Sequence, residues 1–331
     1  AMTPLADRHV QPFAAQDIRT LLELQARLRR DHPFLVWHPF SGPGQAWTYG
    51  QFVERIRRFA AGLHGRGVRA GDRVLVHLDN CPETVIAWFG CAWLGAVAVT
   101  TNARSSGDEL NYFAANSRAV AGITQPRFAA LVAASCRDLR WLAVAETANG
   151  DDPGANRPEP SQSFERIDGD PSTLPARPHD PTSPFSVQYT SGTTSRPKGV
   201  LWTHANALWG ARVNAEHETL GPDDVPLVAL PLFHTNAQAY SVLATLWAGG
   251  TAVILPRFSA SRFWEISLEH RCTWFSMVPF CSRALADLEV PQHHYRLWGS
   301  GVCEPPTDAQ FRVKTLGWWG MTETITHGTL G

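Results

Sequence analysis

The sequence predicts an α/β fold made of two lobes, each built on a mainly parallel sheet. Three observations carry that expectation. Short β-rich runs alternate with helix-period runs from Thr48 to Ala145. A Pro-, Asp-, Ser- and Gly-rich stretch from Asn149 to Pro184 interrupts them, and the alternation then resumes from Ser186. Strand–helix alternation implies crossover connections, which place helices on the faces of a parallel sheet.

The elements follow in order. Thr48 with Gln51 makes a capping box, and Phe52, Ile56, Phe59, Ala60 and Leu63 recur at helical spacing behind it. Gly65 and Gly67 end that helix. Arg73 to Leu78 is β-rich. Pro82 opens a helix through Trp88 to Leu94, and Gly95 stops it. Strands are expected over Val97–Thr101, Val120–Thr124 and Trp141–Ala145, and helices over Gly107–Asn116 and Arg127–Cys136. The stretch 149–184 reads as an exposed connector. Beyond it, Ser186–Thr190 and Val200–Trp202 flank a Gly/Ser/Thr-rich turn. Helices are expected at 204–218, 237–248, 259–270 and 280–288, and strands at 225–230, 251–255, 273–276, 295–299 and 313–318. The lobes are expected over 2–184 and 185–331, with the first 70 or so residues able to pack on the second lobe.

Composition narrows the function. Hydrophobic residues are 44% and charged residues 18%, enough to bury a core and too apolar for a disordered chain. The formal net charge of -1 argues against nonspecific nucleic-acid binding, which needs clustered Lys and Arg. The run Arg55, Arg57, Arg58 reads as a solvated helix face. Cys81, Cys91, Cys136, Cys272, Cys281 and Cys303 form no C-x-x-C pair and no zinc spacing, so a reducing, cytoplasmic setting is expected. No secretory signal is evident, and no apolar run approaches the roughly 20 residues that span a bilayer. Ala1 before Met2 reads as an expression scar.

The most informative segment is Tyr189-Thr190-Ser191-Gly192-Thr193-Thr194-Ser195-Arg196-Pro197-Lys198-Gly199. Gly192 permits a tight turn and close backbone approach. Thr190, Ser191, Thr193, Thr194 and Ser195 line up hydroxyls, and Lys198 adds a point positive charge. Together they suit a polyanion, most naturally a triphosphate, but not at Walker A spacing.

This segment resembles the phosphate-loop signature of the adenylate-forming superfamily: acyl- and aryl-CoA synthetases, nonribosomal-peptide adenylation domains and luciferases. Two more signatures follow in family order, so the resemblance covers nearly the whole chain. Pro231-Leu232-Phe233-His234 resembles the motif whose His lies beside the acyl pocket and gates it, with Thr235, Asn236 and Gln238 as further pocket candidates. Trp319-Gly320-Met321-Thr322-Glu323-Thr324 resembles the nucleotide motif. By that resemblance Trp319 stacks on adenine, Gly320 permits close backbone approach, Met321 belongs to the nucleotide-binding set, Thr322 reaches the α-phosphate and Glu323 binds Mg²⁺. Gly301, Val302 and Cys303 align with a Gly-rich turn touching adenine and the acyl group. Many relatives have Ala-Pro where Val302-Cys303 stand, and Cys303 reads as pocket lining rather than as a nucleophile. Most relatives carry a small residue where Trp318 stands. Its bulk is expected to narrow the acyl pocket, and Trp209, Trp298 and Trp319 to make it shallow.

The resemblance implies the N-terminal domain of an acyl-CoA synthetase, using ATP, Mg²⁺ and coenzyme A. A carboxylate attacks the α-phosphorus of ATP, giving an acyl-adenylate and pyrophosphate, and the thiol of coenzyme A then attacks the adenylate carbonyl. Lys198, His234, Thr322 and Glu323 are the candidate catalytic set. The family's small C-terminal domain, with its lysine, is expected to be absent, leaving these residues alone inactive in the full reaction. One alternative is an adenylation domain loading a carrier-protein thiol. Amino-acid-activating relatives usually place an Asp after the aromatic residue of the second signature, where this chain has His234-Thr235-Asn236. Another is a non-catalytic nucleotide-binding fragment. A homodimer stays open.

Overall fold

The computed structural model describes residues 12–145, 158, 160–190, 196–301 and 305–330. Asp17 caps the first helix, α1 (Ile18–Leu28), by accepting from the Arg19 and Thr20 amides. Strands β1 (Pro33–Trp37) and β2 (Gln45–Thr48) follow. The expected capping box then opens α2 (Tyr49–Gly65): the Gln51 amide donates to Thr48 Oγ1 at 3.2 Å and the Thr48 amide to Gln51 Oε1 at 3.0 Å. Phe52, Ile56, Phe59, Ala60 and Leu63 are all buried along one face of that helix.

Next come β3 (Arg73–His77), α3 (Pro82–Leu94) and β4 (Val97–Thr100). They are followed by α4 (Gly107–Ser117), β5 (Ala119–Thr124), α5 (Pro126–Ser135) and β6 (Leu142–Val144). The expected connector holds a short strand, β7 (Ser161–Ser163), and buries Phe164 and Ile167. It is therefore not wholly an exposed loop; Phe164, Ile167 and Leu174 pack on the core, Phe164 stacking on Phe59 of α2.

The second half contains β8 (Pro184–Thr190), β9 (Lys198–Thr203), α6 (His204–His217) and β10 (Pro226–Val228). A π-helical segment, Asn236–Leu243, runs directly into α7 (Ala244–Ala248) where one regular helix was expected. Then come β11 (Ala252–Ile254), α8 (Ala260–Glu269), β12 (Trp274–Ser276), α9 (Pro279–Leu285), β13 (Leu297–Ser300), α10 (Pro305–Phe311), β14 (Lys314–Gly320) and β15 (His327–Leu330).

Among the described residues two sheets form. One runs β7-β6-β5-β3-β4-β8-β9, the other β15-β14-β13-β12-β10-β11-β1-β2. Pairing is parallel except at β1–β2, β8–β9 and β14–β15. The lobe boundary expected at 184/185 does not follow the sheets. β8 pairs with β4 and brings its antiparallel partner β9 into the first sheet, while β1 pairs with β11 in the second. Buried Asp17 fastens the N-terminal segment to the late connector, accepting from Arg19 at 2.9 Å, Arg177 at 3.2 Å and contacting His179 at 2.9 Å. Burial opposes ionisation there, but bonds from Arg19 and His179 outweigh it and hold the carboxyl at about 2.

Candidate active site

The phosphate-loop segment sits on the β8–β9 hairpin. Thr190 closes β8 and Lys198 opens β9, paired directly opposite one another. Ser191, Gly192, Thr193 and Thr194 lie outside the described residues, so the structure gives the stem of that turn and not its tip. The stem is pinned to α4. Tyr112 donates its O–H to the Pro197 carbonyl at 2.9 Å, and the Arg196 guanidinium lies 5.5 Å from the Tyr112 ring centre. Tyr189 stacks on Phe113 at 4.3 Å and donates to Asn116 Oδ1 at 2.7 Å. Lys198 is exposed, its charge open to a ligand.

The second signature leads into the π-helical segment. His234 is exposed on a cavity of about 590 Å³, which Phe233, Phe258, Arg104, Arg127 and Arg257 also line. Surrounding protein atoms lower the His234 pKa by desolvation, so the imidazole is neutral at pH 7 and able to donate or accept. Thr235 and Gln238, expected as pocket candidates, are instead buried in a polar network. Thr235 donates to Gln188 Oε1 at 2.8 Å; Gln238 donates to the Leu232 carbonyl at 2.7 Å and to Thr100 Oγ1 at 3.2 Å, and also meets Gln188. Buried amides must find partners, and these partners stitch β4 and β8 to the segment that carries His234. Asn236 is half-buried, and its Oδ1 has no partner among the described residues.

The third signature occupies the end of β14 and the turn after it. Trp319 is 58% exposed and so is available for stacking. Gly320 lies against Tyr240 of the π-helical segment: a methyl group there would come within 2.2 Å of the phenolic oxygen. The turn from Met321 to Thr326 is gripped from behind. Trp202 Nε1–H donates to the Thr322 carbonyl at 2.8 Å, and Asn214 Nδ2–H donates to the Ile325 carbonyl at 3.1 Å. Glu323 is exposed on this turn. Gly301 follows β13 with open space around it; Val302 and Cys303 lie outside the described residues.

Trp318 is buried and stacked on His327 at 4.2 Å, with Tyr240 edge-on at 5.9 Å. Behind His327 lies the fully buried Glu218 carboxyl, 3.3 Å away. Burial raises Glu218 well above the carboxylate range. Burial, then His217, lowers His327 to about 3. Two of the expected pocket tryptophans lie elsewhere. Successive strand residues point to opposite faces, so Trp298 packs with Trp264 and Phe311 on the far side of β13 from Trp318. Trp209 is exposed on α6.

The strand that leads into the first signature and the turn of the third therefore meet the element that follows the second: the π-helical segment bonds to Gln188 of β8 through Gln238 and abuts Gly320 through Tyr240. A family model described as AMP-binding enzyme matches residues 22–330. The chain belongs to the AMP-binding enzyme family. Within that family it is 32% identical to the crotonobetaine/carnitine–CoA ligase of Salmonella agona over 94% of its own length. It spans 62% of that relative. Among solved structures it is similar to MbtA of Mycobacterium smegmatis (28% identity, TM-score 0.82, 99% of this chain and 62% of that one). It shares its fold with a benzoate CoA ligase of Burkholderia xenovorans LB400 (24% identity, TM-score 0.79, 95% and 62%). Trp202, Asn214, Gln188, Tyr112 and Tyr240 hold the three signature segments in place, yet none lies in a recognised functional pattern; each acts through a partner distant in sequence. No helix among the described residues is long and apolar enough to cross a membrane.

Proposed function

We propose that the protein activates a small carboxylic acid with ATP as an acyl-adenylate and passes the acyl group to the thiol of coenzyme A. The observation that carries this reading is the convergence of the β8–β9 stem, the His234 segment and the Glu323 turn on one π-helical element. In this reading Lys198, with Thr190, Ser191, Gly192, Thr193 and Thr194, holds the β- and γ-phosphates. Trp319, Gly320, Met321, Gly301, Val302 and Cys303 receive the nucleotide. Thr322 holds the α-phosphate in line for attack. Glu323 is an exposed carboxylate, a hard oxygen donor that fits Mg²⁺. The ion would offset negative charge on the departing pyrophosphate, as Lys198 does.

His234 stands at the acyl entrance, neutral and able to hydrogen-bond the incoming carboxylate. Three arginines line the same cavity, and Arg104, Arg127 and Arg257 suit a co-substrate carrying several phosphates, as coenzyme A does. Buried Trp318 limits depth and favours a small acid. The five described cysteines are free and buried, which fits a reducing compartment such as the cytoplasm.

The test is ATP–pyrophosphate exchange by the full-length protein across a panel of carboxylic acids, followed by acyl-CoA detection. Acid-dependent exchange with thioester formation is expected. Nucleotide binding without acid-dependent exchange overturns the reading. Exchange with transfer only to a carrier protein overturns its second half.

A further inference from the structure

The geometry points to a site for a transition-metal ion, of the zinc class, that the proposed reaction does not use. We propose that His38, Glu269 and His270 bind it. His38 directly follows β1; Glu269 closes α8 and His270 comes next. The two imidazoles come from positions 232 residues apart, yet His38 Nδ1 and His270 Nε2 face each other at 2.9 Å. Glu269 Oε1 lies 3.8 Å from each of those two nitrogens. The point equidistant from these three atoms is about 2.1 Å from each. Zinc–imidazole bonds measure about 2.0–2.1 Å and zinc–carboxylate bonds about 2.0–2.2 Å. The three donor atoms are therefore spaced to reach one ion, with the imidazole rings turning to aim their lone pairs at it. Among the described residues this is the one group of three His, Cys, Asp or Glu side chains so arranged.

The backbone holds the ligands in place. The His38 amide donates to the Ile254 carbonyl at 3.0 Å, which continues the β1–β11 pairing. The His270 amide donates to the Ile266 carbonyl at 3.1 Å, ending α8. The imidazole planes are perpendicular, with centres 5.1 Å apart. Without an ion, one facing nitrogen must carry the proton shared between the rings. On binding, that proton moves to the far nitrogen of its own ring, and both facing lone pairs become ligands. Two neutral imidazoles and one carboxylate suit zinc, cobalt(II) or nickel(II) better than Mg²⁺, which prefers oxygen. The Glu269 side chain is 56% exposed, so an ion can reach the group from solvent. The ion would clamp β1, at the edge of the N-terminal segment, to α8 of the second sheet.

The experiment is calorimetric titration of metal-depleted protein with Zn²⁺, with visible spectra of the Co²⁺-loaded form. We expect one ion per chain, a cobalt absorption band characteristic of nitrogen ligation and a raised melting temperature with Zn²⁺. His38→Ala, His270→Ala and Glu269→Gln should each weaken binding about tenfold or more and change the cobalt band. Should an alanine variant melt early without metal, His38→Gln and His270→Gln preserve bulk and serve in its place. Variants that bind Zn²⁺ as tightly as the parent, or a parent that binds none, overturn the site.

Discussion

A methyl group on Gly299 would lie 1.3 Å from Cη2 of Trp318. The glycine on β13 and the indole on β14 thus share one space, and the ring reaches over the neighbouring strand because no side chain stands there.

Gly299→Ala should consequently push the indole out of its stack on His327. Overpacking of this kind costs about 1–3 kcal/mol. A melting temperature within a degree of the parent would show that the indole relaxes freely. Trp318→Gly should open the space instead and move the acid preference toward longer or bulkier substrates, read as relative kcat/KM across the acid panel.

Lys198→Ala removes the positive charge that opens β9 beside the loop. We expect ATP–pyrophosphate exchange to fall by about tenfold to a hundredfold, since such charges act mainly on the transition state. The check is steady-state exchange at saturating acid, with circular dichroism to confirm folding. Lys198 is exposed, so the variant should fold normally.

Glu323→Gln keeps the shape of the side chain and removes its charge. The Mg²⁺ concentration giving half-maximal exchange should rise about tenfold or more, while the melting temperature stays unchanged. A Mg²⁺ titration of the exchange rate decides it, and superimposable curves would remove Glu323 from the metal site.

Glu83 gives a pH dependence of stability. It is buried near the start of α3, and burial, reinforced by Glu165, raises its carboxyl to about 7 against bonds from its own backbone and Cys81. The folded state therefore holds a proton that the unfolded state releases from about pH 4.5 upward. The stability linked to Glu83 is complete below about pH 4.5 and is lost as pH rises through about 7. Glu83→Gln should abolish that loss, gaining on the order of 3 kcal/mol relative to the parent between pH 5 and pH 9. Urea melts of both proteins at several pH values, compared as differences, cancel the other titrating groups.

Much of this protein's local structure was legible in its sequence because the determining contacts are local. Thr48 and Gln51 cap each other three residues apart. Pro82 and Gly95 bound a helix by their own backbone restrictions, and Phe52, Ile56 and Phe59 mark a buried face by their period. The phosphate-binding role proposed for Thr190 to Lys198 likewise rests on the sequence, since hydroxyls, glycine and lysine lie within nine consecutive residues. Only the tertiary structure placed β8 and β9 in the first sheet, because strand partners are chosen by long-range packing that no local pattern encodes. For the same reason Thr235 and Gln238 looked like pocket residues but serve a buried network with Gln188. Trp298 looked like a neighbour of Trp318 but points the other way from its strand. The grip of Asn214 on Ile325, the overlap of Trp318 with Gly299, and the meeting of His38 with His270 each join residues whose proximity exists only once two sheets have formed and packed.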